Sequence, residues 1–120
     1  MAKEFPYIDI DWLKNRVNTG NIAEPFRFVL MGDMQGRGYV RFSSDDFDYL
    51  TIDSFIGESV DAEVKLIFSC QGGGLAKLAS ENHVIFYGES EQIGRFNPEV
   101  LERAIVAEAG RGKFAYGVIF

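Results

Sequence analysis

The sequence predicts an α+β domain: a mainly antiparallel sheet of five or six strands with two helices packed on one face. Three observations predict it. Two segments place apolar residues at helical spacing behind a capping residue. Several short segments alternate apolar and polar residues and are separated by Gly- and Asp-rich turns. Residues 60–68 alternate most cleanly, with acids between the apolar positions, as in a strand that keeps one face wet. The 120-residue length fits a single domain spanning residues 1–120. A chain of this size buries roughly two-thirds of its unfolded surface, enough for one core without staples.

The first helix is expected over Ile10–Asn18. Asp9 stands where a cap is needed, Ile8/Trp12 and Leu13/Val17 recur four residues apart, and Gly20 stops the run. Phe26, Phe28 and Leu30 then mark a strand, residues 33–38 a hairpin turn, and Val40 and Phe42 the returning strand. Residues 43–46 (Ser-Ser-Asp-Asp) predict a second turn, followed by a third strand over 47–54 and a fourth over 60–68. Gly72, Gly73 and Gly74 predict a break and a flexible connection, with one helical turn over 75–80. His83 to Tyr87 is a continuous apolar run, expected of a central strand. The second helix opens at Asn97, with Pro98 at its first position and Glu99 and Glu102 near the positive end of the dipole. Val100, Leu101, Ala104 and Ile105 form its apolar stripe, and Gly110 is its stop. Phe114, Tyr116, Val118 and Phe120 alternate as a last strand, expected inside the sheet with this set facing the helices.

Charge is the most informative functional feature. Residues 42–64 contain no Lys or Arg and seven acids: Asp45, Asp46, Asp48, Asp53, Glu58, Asp61 and Glu63. That stretch carries −7 while the chain carries −6, so the other 97 residues, with eleven acids and twelve bases, sum to +1. A local concentration of one sign steers a partner of the other sign. Phe47 and Tyr49 lie among the acids, and rings beside charges suit a protein interface. The expected partner-binding residues are therefore Asp45, Asp46, Phe47, Asp48, Tyr49, Asp53, Glu58, Asp61 and Glu63. The turn acids Asp45, Asp46 and Asp48 carry most of this expectation, because strand alternation already accounts for Asp61 and Glu63.

Other chemistries find less support. The acids at 45–48 lack the alternation, the glycine and the closing Glu of an EF-hand loop, so no metal site is expected. The glycine run lacks the Gly-Lys-Ser/Thr ending of a phosphate loop, so no cofactor is expected. Cys70 and His83, the only thiol and the only imidazole, lack the surroundings of a nucleophile and its base, and no catalytic residue is assigned. The basic residues of Gly110-Arg111-Gly112-Lys113 offset the negative end of the preceding helix. A single cysteine allows no intramolecular disulfide, the first residues hold acids where a signal peptide needs an apolar run, and no run approaches a membrane span. A soluble, cytoplasmic protein without membrane association is expected. The acidic balance, with a pI near 4.7, argues against direct binding of nucleic acid.

The expected function is a small acidic inhibitor that occludes a basic cleft of a nuclease or other nucleic-acid enzyme. In size, acidity and cysteine content the chain is similar to toxin-immunity proteins and phage-encoded inhibitors. The alternatives are a small α+β enzyme or ligand-binding domain with a pocket between sheet and helices, and a self-assembling accessory or structural subunit, for which a homo-oligomer is expected.

Overall fold

The computed structural model describes residues 5–20, 22–109, 111 and 114–120. The elements run α1 (Ile10–Asn18), β1 (Phe26–Asp33), β2 (Gly38–Ser43), α2 (Asp48–Asp61), β3 (Phe68–Ser80), β4 (His83–Tyr87), α3 (Pro98–Glu108) and β5 (Ala115–Val118). The five strands form one sheet in the order β2-β1-β3-β4-β5. Three neighbouring pairs are antiparallel and the β4–β5 pair is parallel. The α+β architecture and the mainly antiparallel sheet are those that the sequence predicts.

Local chemistry explains α1 and α3. Asp9 Oδ1 accepts the Trp12 N–H at 3.2 Å, and Gly20, at φ 79°, takes the left-handed turn that ends α1. Asn97 Oδ1 accepts the Glu99 and Val100 N–H groups at 3.1 and 3.4 Å, with Pro98 at the first helical position. Gly110, Gly112 and Lys113 lie outside the described residues.

The pleat sorts the side chains into two cores. On one side of the sheet Phe26, Phe28, Leu30, Val40, Phe42, Val84 and Phe86 join Leu13 of α1 and Val100, Leu101 and Ala104 of α3. On the other side Met31 and Tyr39 join Phe55, Ile52, Phe5, Tyr7 and Phe68. The two helices read from the sequence thus serve one core, and α2 serves the opposite one.

Three expectations need correction. First, 47–54 and 60–68 are not strands. Residues 48–61 are α2, because Asp48, Thr51, Ile52, Phe55 and Ser59 recur at three- and four-residue spacing and turn inward together. The alternation over 60–68 straddles a helix end: Ala62 N–H bonds the Glu58 carbonyl, and Glu63 takes φ 58° before the chain extends into β3. Asp61 and Glu63 are therefore not on the wet face of a strand.

Second, Gly72–Gly74 is no flexible connection, and 75–80 is no helical turn: both belong to β3, the centre of the sheet. The chain after β4 folds back over these glycines. Gly73 N–H bonds the Gly94 carbonyl, Ser90 N–H bonds the Gly73 carbonyl, and Asn97 N–H bonds the Gln71 carbonyl. A Cβ on Gly72, Gly73 or Gly74 would stand 2.0, 2.5 or 2.7 Å from the carbonyl oxygens of Arg95, Phe28 and Tyr87. The glycines are there so that backbone can approach backbone.

Third, β5 does not lie inside the sheet but forms its edge. Phe114, Tyr116 and Val118 do pack against the α1/α3 core, whereas Phe120 is exposed.

Two glycines give opposite expectations. Gly72→Ala meets both a φ of 90° and a carbonyl in its path, and should lower unfolding free energy by about 3 kcal/mol or more. Gly57, inside α2, has open space where a Cβ would stand, and Gly57→Ala should raise it by about 0.5–1 kcal/mol. Urea melts of both variants measure the two differences.

Candidate functional site

The site is built around the start of α2. Asp48 is 1% exposed and sits between three parts of the chain. Arg27 of β1 donates Nε–H and Nη2–H to its two oxygens, each at 3.0 Å, in a bidentate fork. Ser90 Oγ–H donates to Oδ2 at 2.5 Å, and the Asp48 N–H is bonded to Gln92 Oε1 at 2.7 Å. Gln92 also donates through Nε2 to the Asp46 carbonyl and accepts Tyr49 O–H on its own carbonyl at 3.0 Å. Burial alone would push the Asp48 carboxyl up. The hydrogen bonds from Arg27 and Ser90, together with the Arg27 charge, overcome this and hold it below the ordinary carboxylate range. A carboxylate at the N-terminus of a helix also meets the positive end of the dipole.

Two further ion pairs fix the same side of the sheet. Arg41 of β2 is buried and donates through Nε and Nη2 to Glu58 Oε2 at 2.8 and 2.6 Å, while Nη2 also bonds the Pro6 carbonyl at 2.7 Å. Its guanidinium lies 5.1 Å from the ring centres of both Phe5 and Phe55. Asp33 closes the β1–β2 turn, accepting from the Gln35 and Arg37 backbone, from Arg37 Nε at 2.8 Å and from Tyr39 O–H at 2.9 Å. Its burial opposes ionisation, but these four donors keep its carboxyl below the usual range. The Tyr39 hydroxyl is pushed up, first by burial and then by the Asp33 carboxylate that it serves.

The nine expected partner-binding residues therefore divide. Asp48 is withdrawn from any surface and belongs to the frame, which corrects its standing as a leading turn acid. Glu58 is half-buried and committed to Arg41. Asp45, Asp46, Asp53, Asp61 and Glu63 are exposed, as are Phe47 and Tyr49.

The helix adds residues that a strand reading hides. Phe47, Tyr49, Leu50, Ile56 and Val60 are exposed by 63, 59, 56, 41 and 69%. On a helix Tyr49, Asp53, Ile56, Gly57 and Val60 fall at i, i+4, i+7, i+8 and i+11 and so share one outward face. Tyr49, Ile56 and Val60 lie about a quarter-turn round α2 from the inward-facing Ile52 and Phe55, so its apolar surface continues from the sheet side out into solvent. Reading 48–61 at a period of 3.6 instead of 2 would have found both sets.

The Cys70–His83 pairing does not assemble. Cys70 lies opposite Met31, while His83 pairs with Ser80 at the other end of β3. Ten residues of strand separate the two levels, roughly 30 Å. Among the described residues no group of three or more His, Cys, Asp and Glu is placed to hold a metal ion, and no helix is long and apolar enough to cross a membrane. A hollow of about 700 Å³ opens between α1 and the β3–β4 turn and is lined in part by Lys14, Asn18, Asn82 and Phe114. It lies apart from the acidic segment. No protein-family model matches the chain, and no curated protein matches it at a significant level.

Asp48→Asn leaves the Arg27 guanidinium unpaired and should cost about 2–4 kcal/mol, below the full penalty of a buried pair because Arg27 is partly wet. The folded-state pKa of Asp48 is lowered, so its stabilisation is complete above the unfolded value, about 4, and is lost as pH falls through the folded value. The stability gap between wild type and Asp48→Asn should be constant at neutral pH and shrink below about pH 4. Denaturant melts across pH check both the size and the direction.

Proposed function

We propose that the protein is a non-enzymatic inhibitor that uses the outer face of α2 to dock on a basic surface of another protein. One observation carries the reading: α2 exposes Tyr49, Leu50, Ile56 and Val60 beside Asp53 and Asp61, with no Lys or Arg anywhere in residues 42–64. An apolar stripe that extends beyond the buried face of a helix is ordinarily covered as well. Exposed apolar groups supply contact area, and the surrounding carboxylates choose a partner of opposite charge.

Clefts that hold nucleic acid are lined with Lys and Arg, so a nuclease or other nucleic-acid enzyme is the partner class proposed. The mechanism is occlusion. Asp45, Asp46, Asp53 and Asp61 take the positions of phosphates against the basic cleft, and the apolar stripe excludes water behind them. The acids raise the association rate and make it fall with salt. The buried stripe slows release. Gly57 fits the same reading: it weakens the helix, nothing within 4 Å of its missing Cβ requires it, and it lets a partner approach the helix backbone.

The test begins with capture of a basic nucleic-acid enzyme from the host by immobilised protein, followed by association kinetics with that enzyme. Asp45→Asn, Asp46→Asn, Asp53→Asn and Asp61→Asn together should slow association and flatten its salt dependence. Ile56→Ser with Val60→Ser should instead speed dissociation, weakening binding by roughly tenfold or more. Asp48 is left untouched, because its loss disturbs the fold. Rates unchanged in both variants would dismiss α2 as the docking face.

A further inference from the structure

We propose that in the absence of a partner the protein forms a two-fold dimer in which α2 of each copy lies on the β3–β5 face of the other, which no described helix covers. The inference rests on the reading of the outer face of α2 as a docking surface, and places that face inside the dimer.

Strand register shows that the helix and this face lie on one side of the molecule. Residues directly opposite one another in a sheet point the same way. Arg27, which binds Asp48 of α2, pairs with Leu75, and Leu75 pairs with Tyr87. In the next row Lys77 pairs with Ile85, and Ile85 with Gly117. Helix α2 lies over β1 and β2. Away from it, Leu75, Ile85 and Tyr87 are only half-buried, and Lys77 and Ile119 are exposed. Gly117 deepens this area: a Cβ there would sit 3.5 Å from His83 Nε2 and 3.8 Å from Ile85 Cγ1, so its absence leaves a furrow beside both.

Shape and charge both point to a second copy as the occupant. One side of the sheet carries a ridge one helix thick on β1 and β2, and a step down toward β4 and β5. A two-fold axis between ridge and step sets the ridge of each copy into the step of the other, so both surfaces are used twice and the assembly closes. Charge follows the same division. Strands β3, β4 and β5 contain no Asp or Glu and carry Lys77 and His83, whereas α2 exposes Asp53 and Asp61 and has no Lys or Arg. The apolar stripe of α2 would meet Leu75, Ile85 and Tyr87, and Asp53 and Asp61 would meet the side that bears Lys77. Glu89 and Arg95 border the step next to Tyr87 and Ile119, one of each sign.

Sedimentation equilibrium of the full chain over a wide concentration range tests the dimer. Wild type should show a monomer–dimer equilibrium. Ile56→Glu with Val60→Glu, on the helix, should weaken it roughly tenfold or more, and so should Lys77→Glu with Ile119→Glu, on the sheet. All four positions are exposed, and thermal melts of the variants verify that each stays folded. An equimolar mixture of the helix and sheet variants keeps one intact contact of the two, so it should associate more tightly than either variant alone. A wild type that stays monomeric overturns the dimer while leaving partner docking to its own kinetics. A dimer indifferent to both variant pairs also overturns it. The sheet variant separates the two readings further: it should lose self-association and keep its hold on the captured basic enzyme.

Discussion

The buried carboxylate of Asp48 is the constraint on which the rest of this molecule depends. A charge removed from water must be met by charge and hydrogen bonds, and the groups that meet it come from three distant parts of the chain. Arg27 comes from β1, Ser90 from the loop after β4, and Asp48 itself opens α2. Satisfying one side chain therefore fixes where the helix starts, how it lies over the sheet and where the loop beside it folds. Gln92 ties the same loop to the backbone at 46 and 48 and to Tyr49. The Arg41–Glu58 fork fixes α2 one further time along its length.

The glycine run is the other half of this arrangement. The loop crosses β3 at backbone distance at Gly72, where a side chain would meet the Arg95 carbonyl, while Gly73 and Gly74 admit the carbonyls of Phe28 and Tyr87 on the neighbouring strands. Bonds from Gly73, Ser90 and Asn97 then continue the hydrogen bonding of β3 beyond the point where β4 ends. A carboxylate at Asp48 and an absent side chain at Gly72, far apart in sequence, serve one junction. Both are needed for a rigid helix platform, and preorganised surfaces lose little freedom when they bind.

What that platform presents is a helix held firmly by its inner face, with apolar groups exposed beside it. The fold has used two of the acids in residues 42–64, Asp48 and Glu58, as internal partners for Arg27 and Arg41. The remaining five stand in solvent around exposed rings and aliphatic chains. Paired acids give position and unpaired acids give field. The same side of the molecule holds a helix whose exposed charges are all acidic and strands β3, β4 and β5 that contain no acid.

The sequence by itself determined the α+β class, the capped helices α1 and α3, the β1–β2 hairpin, the strand β4 and the concentration of acid in one region. Each rests on local chemistry: a cap three residues from its N–H, a period of 3.6 or 2, a count of charges. Three things were decided by tertiary structure. Residues 48–61 carry apolar groups dense enough to satisfy either period, and packing of Ile52 and Phe55 against Met31 and Tyr39 selected the helix. Gly72–Gly74 reads locally as a break, because the backbones that require glycine there arrive from distant residues, Arg95 at Gly72, Phe28 at Gly73 and Tyr87 at Gly74. Asp45, Asp46 and Asp48 are alike in sequence, and only the position of Arg27, twenty-one residues before Asp48, made one of them structural and left the other two exposed.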